Sequence, residues 1–166
     1  MIQIREATSE RDLDTVRALV HAYIDWLKQL YPDAQDSVNQ YFELIEEELA
    51  SLPGKFGPPT GKLLVAHYDG EGAGTVAMHE LGNQICEMKR MFVYAKFHGK
   101  GVGRALAARI MSDAAKLGYS HMRLETSLGQ VAARGLYRSM GFQEIGAYYE
   151  VPERLRANML FMEREL

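Results

Sequence analysis

The chain has 166 residues, 47% of them apolar and 25% charged, with a net charge of −3 from 19 basic and 22 acidic residues. That size and balance suit one soluble domain spanning 1–166 with a single core, and the slight acidic excess argues against nucleic acid as a partner, which needs a clustered basic surface. One cysteine, Cys86, excludes an internal disulfide framework; no segment approaches the ~20 apolar residues of a membrane span, and the charged start Met1-Ile2-Gln3-Ile4-Arg5-Glu6 does not read as a secretory leader, so no membrane partner and a cytoplasmic location are expected.

In chain order, Ile2 and Ile4 alternating with Gln3 and Arg5 predict a first strand. Ser9 followed by Asp12 resembles a capping box. Leu13, Val16, Leu19, Val20, Tyr23 and Leu27 then recur at helical spacing until Tyr31-Pro32-Asp33 breaks the pattern. A second helix is predicted over about 37–51, with Val38, Tyr41, Phe42, Ile45 and Leu49 on one face and Glu43, Glu46, Glu47 and Glu48 on the other. That acidic face is either simply solvated or a rim attractive to a cationic amine. The Pro- and Gly-rich stretch 53–61 reads as a rigid loop. Segments 62–68, 74–81 and 84–93 read as three antiparallel strands joined by turns at 69–72 and 82–83. A helix over about 102–117 with Gly118 as its C-cap, a strand at 121–125, a helix over 130–140 closed by Gly141, and strands at 143–147 and 159–165 complete the chain. Strand, loop, helix and strand near the middle imply one parallel crossover. The class is α+β: a mixed, mostly antiparallel central sheet of about seven strands with helices on both faces.

Between the third meander strand and the next helix, Gly99, Gly101 and Gly103 stand at every second position. Glycine permits φ > 0 and close approach to the backbone. The first N–H groups of a helix lack internal partners and sit at the positive end of its dipole. The loop therefore reads as a cradle for a phosphorylated cofactor, with a glycine-rich structural turn as the bland alternative. Gly-x-Gly-x-Gly after a meander is not the Gly-x-Gly-x-x-Gly of a first βαβ unit, and Gly101 stands where a nucleotide triphosphatase loop needs Ser or Thr. Cys86 reads as a small apolar strand residue. His21, His67, His79 and His121 show no metal-ligand spacing, so no metal is expected.

Three segments go further: Glu87-Met88-Lys89-Arg90-Met91-Phe92-Val93, His98-Gly99-Lys100-Gly101-Val102-Gly103, and Leu136-Tyr137-Arg138-Ser139-Met140-Gly141-Phe142. In this order, with these elements between them, the chain resembles the GNAT superfamily of acyl-CoA-dependent N-acyltransferases over nearly its whole length. That family's loop pattern is Arg/Gln-x-x-Gly-x-Gly/Ala and its later signature Leu-Tyr-x-x-x-Gly-Phe. Two positions depart: His98 stands where Arg or Gln is usual, and Gln130 where many members carry Asn.

The resemblance implies a GNAT-like fold whose fourth and fifth strands splay apart near Val93 and Leu124. It implies acetyl-CoA as acyl donor, with backbone groups of Met91, Phe92 and Val93 along the pantetheine arm. His98, Gly99, Lys100, Gly101, Val102, Gly103 and Arg104 would surround the pyrophosphate, and Gln130 would lie near the arm. Lys100 and Arg104 read equally as solvated helix-start cations. The implied activity is an N-acetyltransferase that moves acetyl directly, in a ternary complex, to a primary amine of a small-molecule or peptide acceptor. A non-catalytic acyl-CoA-binding sensor is the alternative. Tyr137 is the implied general acid, against a purely structural core aromatic. Glu87 is the implied general base, against a plain ion pair with Lys89 on the same strand face. Tyr148, Tyr149 and Glu150 could line the acceptor pocket, and a homodimer is one assembly that such a fold can form, on which the sequence itself is silent.

Overall fold

The computed structural model describes the backbone of residues 1–166 and every side chain except those of Gln35, Ser37 and Val38. Strand β1 (Ile2–Glu6) leads into helix α1 (Glu10–Leu30). Ser9 caps that helix: its hydroxyl accepts from the Asp12 backbone N–H at 3.2 Å. Asp12 in turn pairs with Arg5 of β1 at 2.6 Å, which fixes the helix against the strand. Leu13, Val16, Leu19, Val20, Ile24 and Leu27 form its buried stripe, and the helix stops immediately before the Tyr31-Pro32 pair.

Helix α2 (Gln35–Ala50) begins two residues before the expected start; Val38, expected on its apolar face, lies outside the described side chains. Ile45 and Leu49 are buried as that face requires, and Phe56 plugs the same core from the following loop. Strands β2 (Lys62–Tyr68), β3 (Glu71–Gly82) and β4 (Ile85–Val93) form the meander. β3 starts three residues before the expected position because Asp69 and Gly70, with φ of 49° and 85°, turn the chain alone.

Helix α3 (Val102–Lys116), β5 (His121–Ser127), α4 (Val131–Ser139), β6 (Gln143–Ile145) and β7 (Met159–Glu165) follow, with a short helix α5 (Glu153–Arg156) that the sequence pattern did not suggest. The seven strands form one sheet in the order β1-β2-β3-β4-β5-β7-β6. All neighbours are antiparallel except β4 and β5, so the expected mixed sheet and its single parallel crossover are present. Helices cover both faces. Residues of α1 and α2 pack on one side around Leu19, Ile24 and Ile45; those of α3 and α4 pack on the other around Leu106, Ile110 and Tyr137. Among the described residues no helix is long and apolar enough to cross a membrane.

Candidate active site

The site begins where a strand pair stops. β4 and β5 run in register only at Ile85–His121, Cys86–Met122 and Glu87–Arg123. Immediately beyond, β4 carries a bulge. Lys89 faces Ala77 and Phe92 faces Thr75, so both Arg90 and Met91 oppose Val76 alone. An extra residue of this kind bends and twists its strand. Arg90 takes a left-handed backbone, φ 56°, which a non-glycine residue adopts only where its surroundings hold it. Glu48 of α2 supplies that hold, accepting from Arg90 Nε at 2.7 Å and Nη2 at 3.1 Å, while Arg90 Nη1 donates to the Tyr41 hydroxyl at 2.7 Å. Glu48 is thus turned inward onto the bulge rather than standing on an acidic rim.

A pocket of about 370 Å³ opens between the parted strands. Lys89, Arg90 and Met91 line one side, Leu124, Glu125, Thr126 and Ser127 the other, and Tyr137 and Gln130 of the α4 region lie between them. Helix α1 covers part of it. Tyr31 reaches Ser127 Oγ at 2.5 Å, and Gln130 accepts from Thr126 Oγ1 at 3.1 Å while donating to the Tyr23 hydroxyl at 3.3 Å. Gln130 therefore joins α1 to β5 across the pocket.

Of the three β4 residues singled out from sequence, Met91 lines the pocket. Phe92 turns to the opposite face, against Tyr23 and Tyr94, and Val93 packs toward the α3 core. The glycine loop follows directly. Gly99 and Gly101 are left-handed, with φ of 75° and 81°, and Gly101 caps α3 without any side-chain oxygen. Gly103 lies against α4, where an added Cβ would come 3.4 Å from Leu136, and Val102 is buried. The side chains around the loop already have protein partners. His98 lies with Nε2 2.9 Å from the Val93 carbonyl oxygen, a contact its N–H tautomer donates. Lys100 sits over the Tyr68 ring at 4.8 Å, and Arg104 donates to Ser139 at 2.8 Å.

Tyr137 is buried at the α4 face of the pocket, edge-on to Phe142. Burial raises its hydroxyl pKa above the ordinary tyrosine value. Glu87 stands at the last paired position of the seam and is 4% exposed. His79 contacts it at 2.9 Å, Lys89 at 3.3 Å, and Tyr148 donates to its second oxygen. Burial alone would raise the Glu87 pKa, but the His79 hydrogen bond, the Lys89 charge and the Tyr148 hydroxyl outweigh it and hold it down at about 2. Lys89 also lies 3.5 Å from Glu125. Burial disfavours its ammonium, yet Glu125 and Glu87 together push its pKa above the ordinary lysine value. Tyr149 lines the pocket, whereas Tyr148 faces Glu87. Cys86 lies under the sheet with its thiol pushed up to about 12 by burial, so it is no nucleophile near neutral pH.

Sequence reasoning missed Arg90, Glu125, Tyr31 and His79. No local signal announces a left-handed arginine. Glu125 alternates with the buried Met122, Leu124 and Thr126 as any outward-facing strand carboxylate would, so the sequence carries no signal for it.

Residues 20–142 match the family described as "Acetyltransferase (GNAT) family". The chain is 34% identical over 167 aligned positions to an N-acetyltransferase of Schizosaccharomyces pombe, covering 99% of this chain and 95% of that protein. A protein of Klebsiella pneumoniae described as an acyl-CoA N-acyltransferase superposes with a TM-score of 0.70 at 25% identity, covering 100% of this chain and 97% of that one. The PaiA N-acetyltransferase of Thermoplasma acidophilum, solved with coenzyme A, superposes with a TM-score of 0.72 at 17% identity over 100% of this chain and 99% of its own, which is a likeness of fold.

Proposed function

The chain belongs to the acetyltransferase (GNAT) family, and we propose that it moves an acetyl group from acetyl-CoA directly to a primary amine of a small-molecule or peptide acceptor held in the same pocket. The observation that carries this reading is the half of β4 without a β5 partner, running straight into a glycine loop and an uncapped helix start. An added strand satisfies such an edge. Backbone groups of Met91, Phe92 and Val93 are the ones available to the pantetheine arm, and the loop amides from Gly99, Lys100, Gly101, Val102, Gly103 and Arg104 suit a pyrophosphate.

Acetyl-CoA supplies the thioester carbonyl and a thiol as leaving group; the chain supplies the rest. The acceptor attacks as its free amine. As the C–N bond forms and the C–S bond breaks, Tyr137, kept protonated by burial, donates its proton toward the departing sulfur, and the proton shed by the acylated nitrogen passes through solvent to restore the tyrosine. Gln130 fixes the α4 start against α1 and β5. His98, in place of the usual Arg or Gln, anchors the strand end to the loop and leaves anion binding to the backbone. For Glu87, three partners and a pKa near 2 favour the ion-pair role: it orients Lys89 and Tyr148 behind the pocket wall, where so weak a base draws little proton.

Isothermal titration with acetyl-CoA, followed by free-thiol release against a panel of amines, tests the proposal. Saturable binding, and thiol release that depends on an amine and falls in Tyr137→Phe, are expected. No binding of acetyl-CoA or CoA would overturn it; binding without amine-dependent release would leave a sensor instead.

A further inference from the structure

We infer that Glu125 is the recognition point for the acceptor's ammonium, so that the acceptor is a cationic amine carried on an apolar or aromatic body. This rests on the reading above that the pocket takes an amine.

The argument is one of charge and unmet hydrogen bonds. Two cations line the pocket, Lys89 and Arg90. Both are committed: Arg90 is held by both oxygens of Glu48 and by Tyr41, and Lys89 lies between Glu87 at 3.3 Å and Glu125 at 3.5 Å. Counted without the His79 imidazole that contacts Glu87, the two carboxylates and Lys89 carry one net negative charge. Glu87 has its full set of partners; Glu125 does not. Its Oε1 meets Lys89 only at 3.5 Å, the outer limit of a hydrogen bond, and its Oε2 is buried with no donor among the described residues. A buried carboxylate oxygen left without a donor costs free energy that a ligand N–H recovers. The carboxylate's terminal torsion is broad, and its side chain is a quarter exposed at the pocket. An ammonium brings three donors and the missing positive charge; it docks charged and releases a proton to solvent before the free amine attacks the thioester.

The surroundings select what carries that ammonium. Tyr31, Tyr149, Val151, Leu155 and Met159 line the same pocket, a wall suited to an aromatic or aliphatic body. An acidic amine would bring negative charge to a net-negative wall whose cations are already matched.

The test uses the whole chain and three probes: phenethylamine, its neutral counterpart 2-phenylethanol, and aspartate. Each is titrated by calorimetry into the wild type and into Glu125→Gln, with and without saturating CoA. Phenethylamine is expected to bind the wild type more tightly than either other probe and to lose at least about tenfold in affinity in Glu125→Gln, while 2-phenylethanol binds the two proteins alike. CoA affinity and thermal midpoint, measured on both proteins, show that the variant is folded. Tighter binding of aspartate, equal phenethylamine affinity in the two proteins (a water meeting Glu125 instead), or no phenethylamine binding would overturn the inference. Failure of the acetyltransferase reading itself would appear separately, as no CoA binding to the wild type.

Discussion

The two halves of the β4–β5 seam are built from neighbouring residues yet behave as opposites. At Ile85, Cys86 and Glu87 the strands pair, and the groups there are closed off: Cys86 is sealed and Glu87 has three partners. Three residues further on, the Arg90 bulge carries β4 away, and the groups there face a cavity: Met91 and Glu125 line it. One extra residue in a strand thus separates a closed seam from an open cleft. A carboxylate's role follows from which side of that residue it occupies.

The largest effect expected from disturbing this division falls on the open half. Tyr137→Phe keeps the ring packed on Phe142 but removes the proposed proton donor. Thiol release is expected to fall by ~10²–10⁴-fold with acetyl-CoA affinity unchanged. Steady-state kinetics and calorimetry check both parts.

On the closed half the cost is in stability. Glu87 titrates from an ordinary 4.5 down to about 2 in the fold, so its contribution is complete above pH 4.5 and is lost as pH falls from there toward 2. Glu87→Gln is expected to lower unfolding free energy by roughly 3 kcal/mol at pH 7, with the gap to the wild type closing through that acid window. Denaturant melts across pH measure it.

Gly101→Ala addresses the loop that ends the open half. At φ 81° a side chain costs ~1–2 kcal/mol of backbone strain, and acetyl-CoA affinity should drop alongside the melting temperature. The smallest effect concerns the cover over the cleft. A Cβ on Gly129 would stand 2.8 Å from the Tyr31 hydroxyl, displacing it from Ser127. Gly129→Ala is expected to cost about 1 kcal/mol and to alter acceptor KM while leaving CoA affinity alone.

Much of this was legible in the sequence because it is local. Alternation marks the meander, Ser9 marks the start of α1, and the glycine triplet marks the loop, since each follows from the chemistry of a few adjacent residues. The opening of the seam was expected only through resemblance to a family, and the bulge that creates it was not expected at all. Arg90 holds its left-handed backbone only because Glu48 and Tyr41, more than 40 positions away, grip it. Glu125 could not be told from any half-buried strand carboxylate until its neighbour across the seam was known to be absent. The short helix α5, only four residues long, lies below the length at which periodicity speaks.

The central claim is that the same strand is closed before the bulge and open to acetyl-CoA after it. Amide exchange measured residue by residue by NMR, with and without acetyl-CoA, tests this directly. The account predicts new protection at Met91 to Val93 and at Gly99 to Arg104, with Ile85, Cys86 and Glu87 unchanged. Protection spread evenly along β4, or absent from both the strand end and the glycine loop at saturating acetyl-CoA, would contradict it.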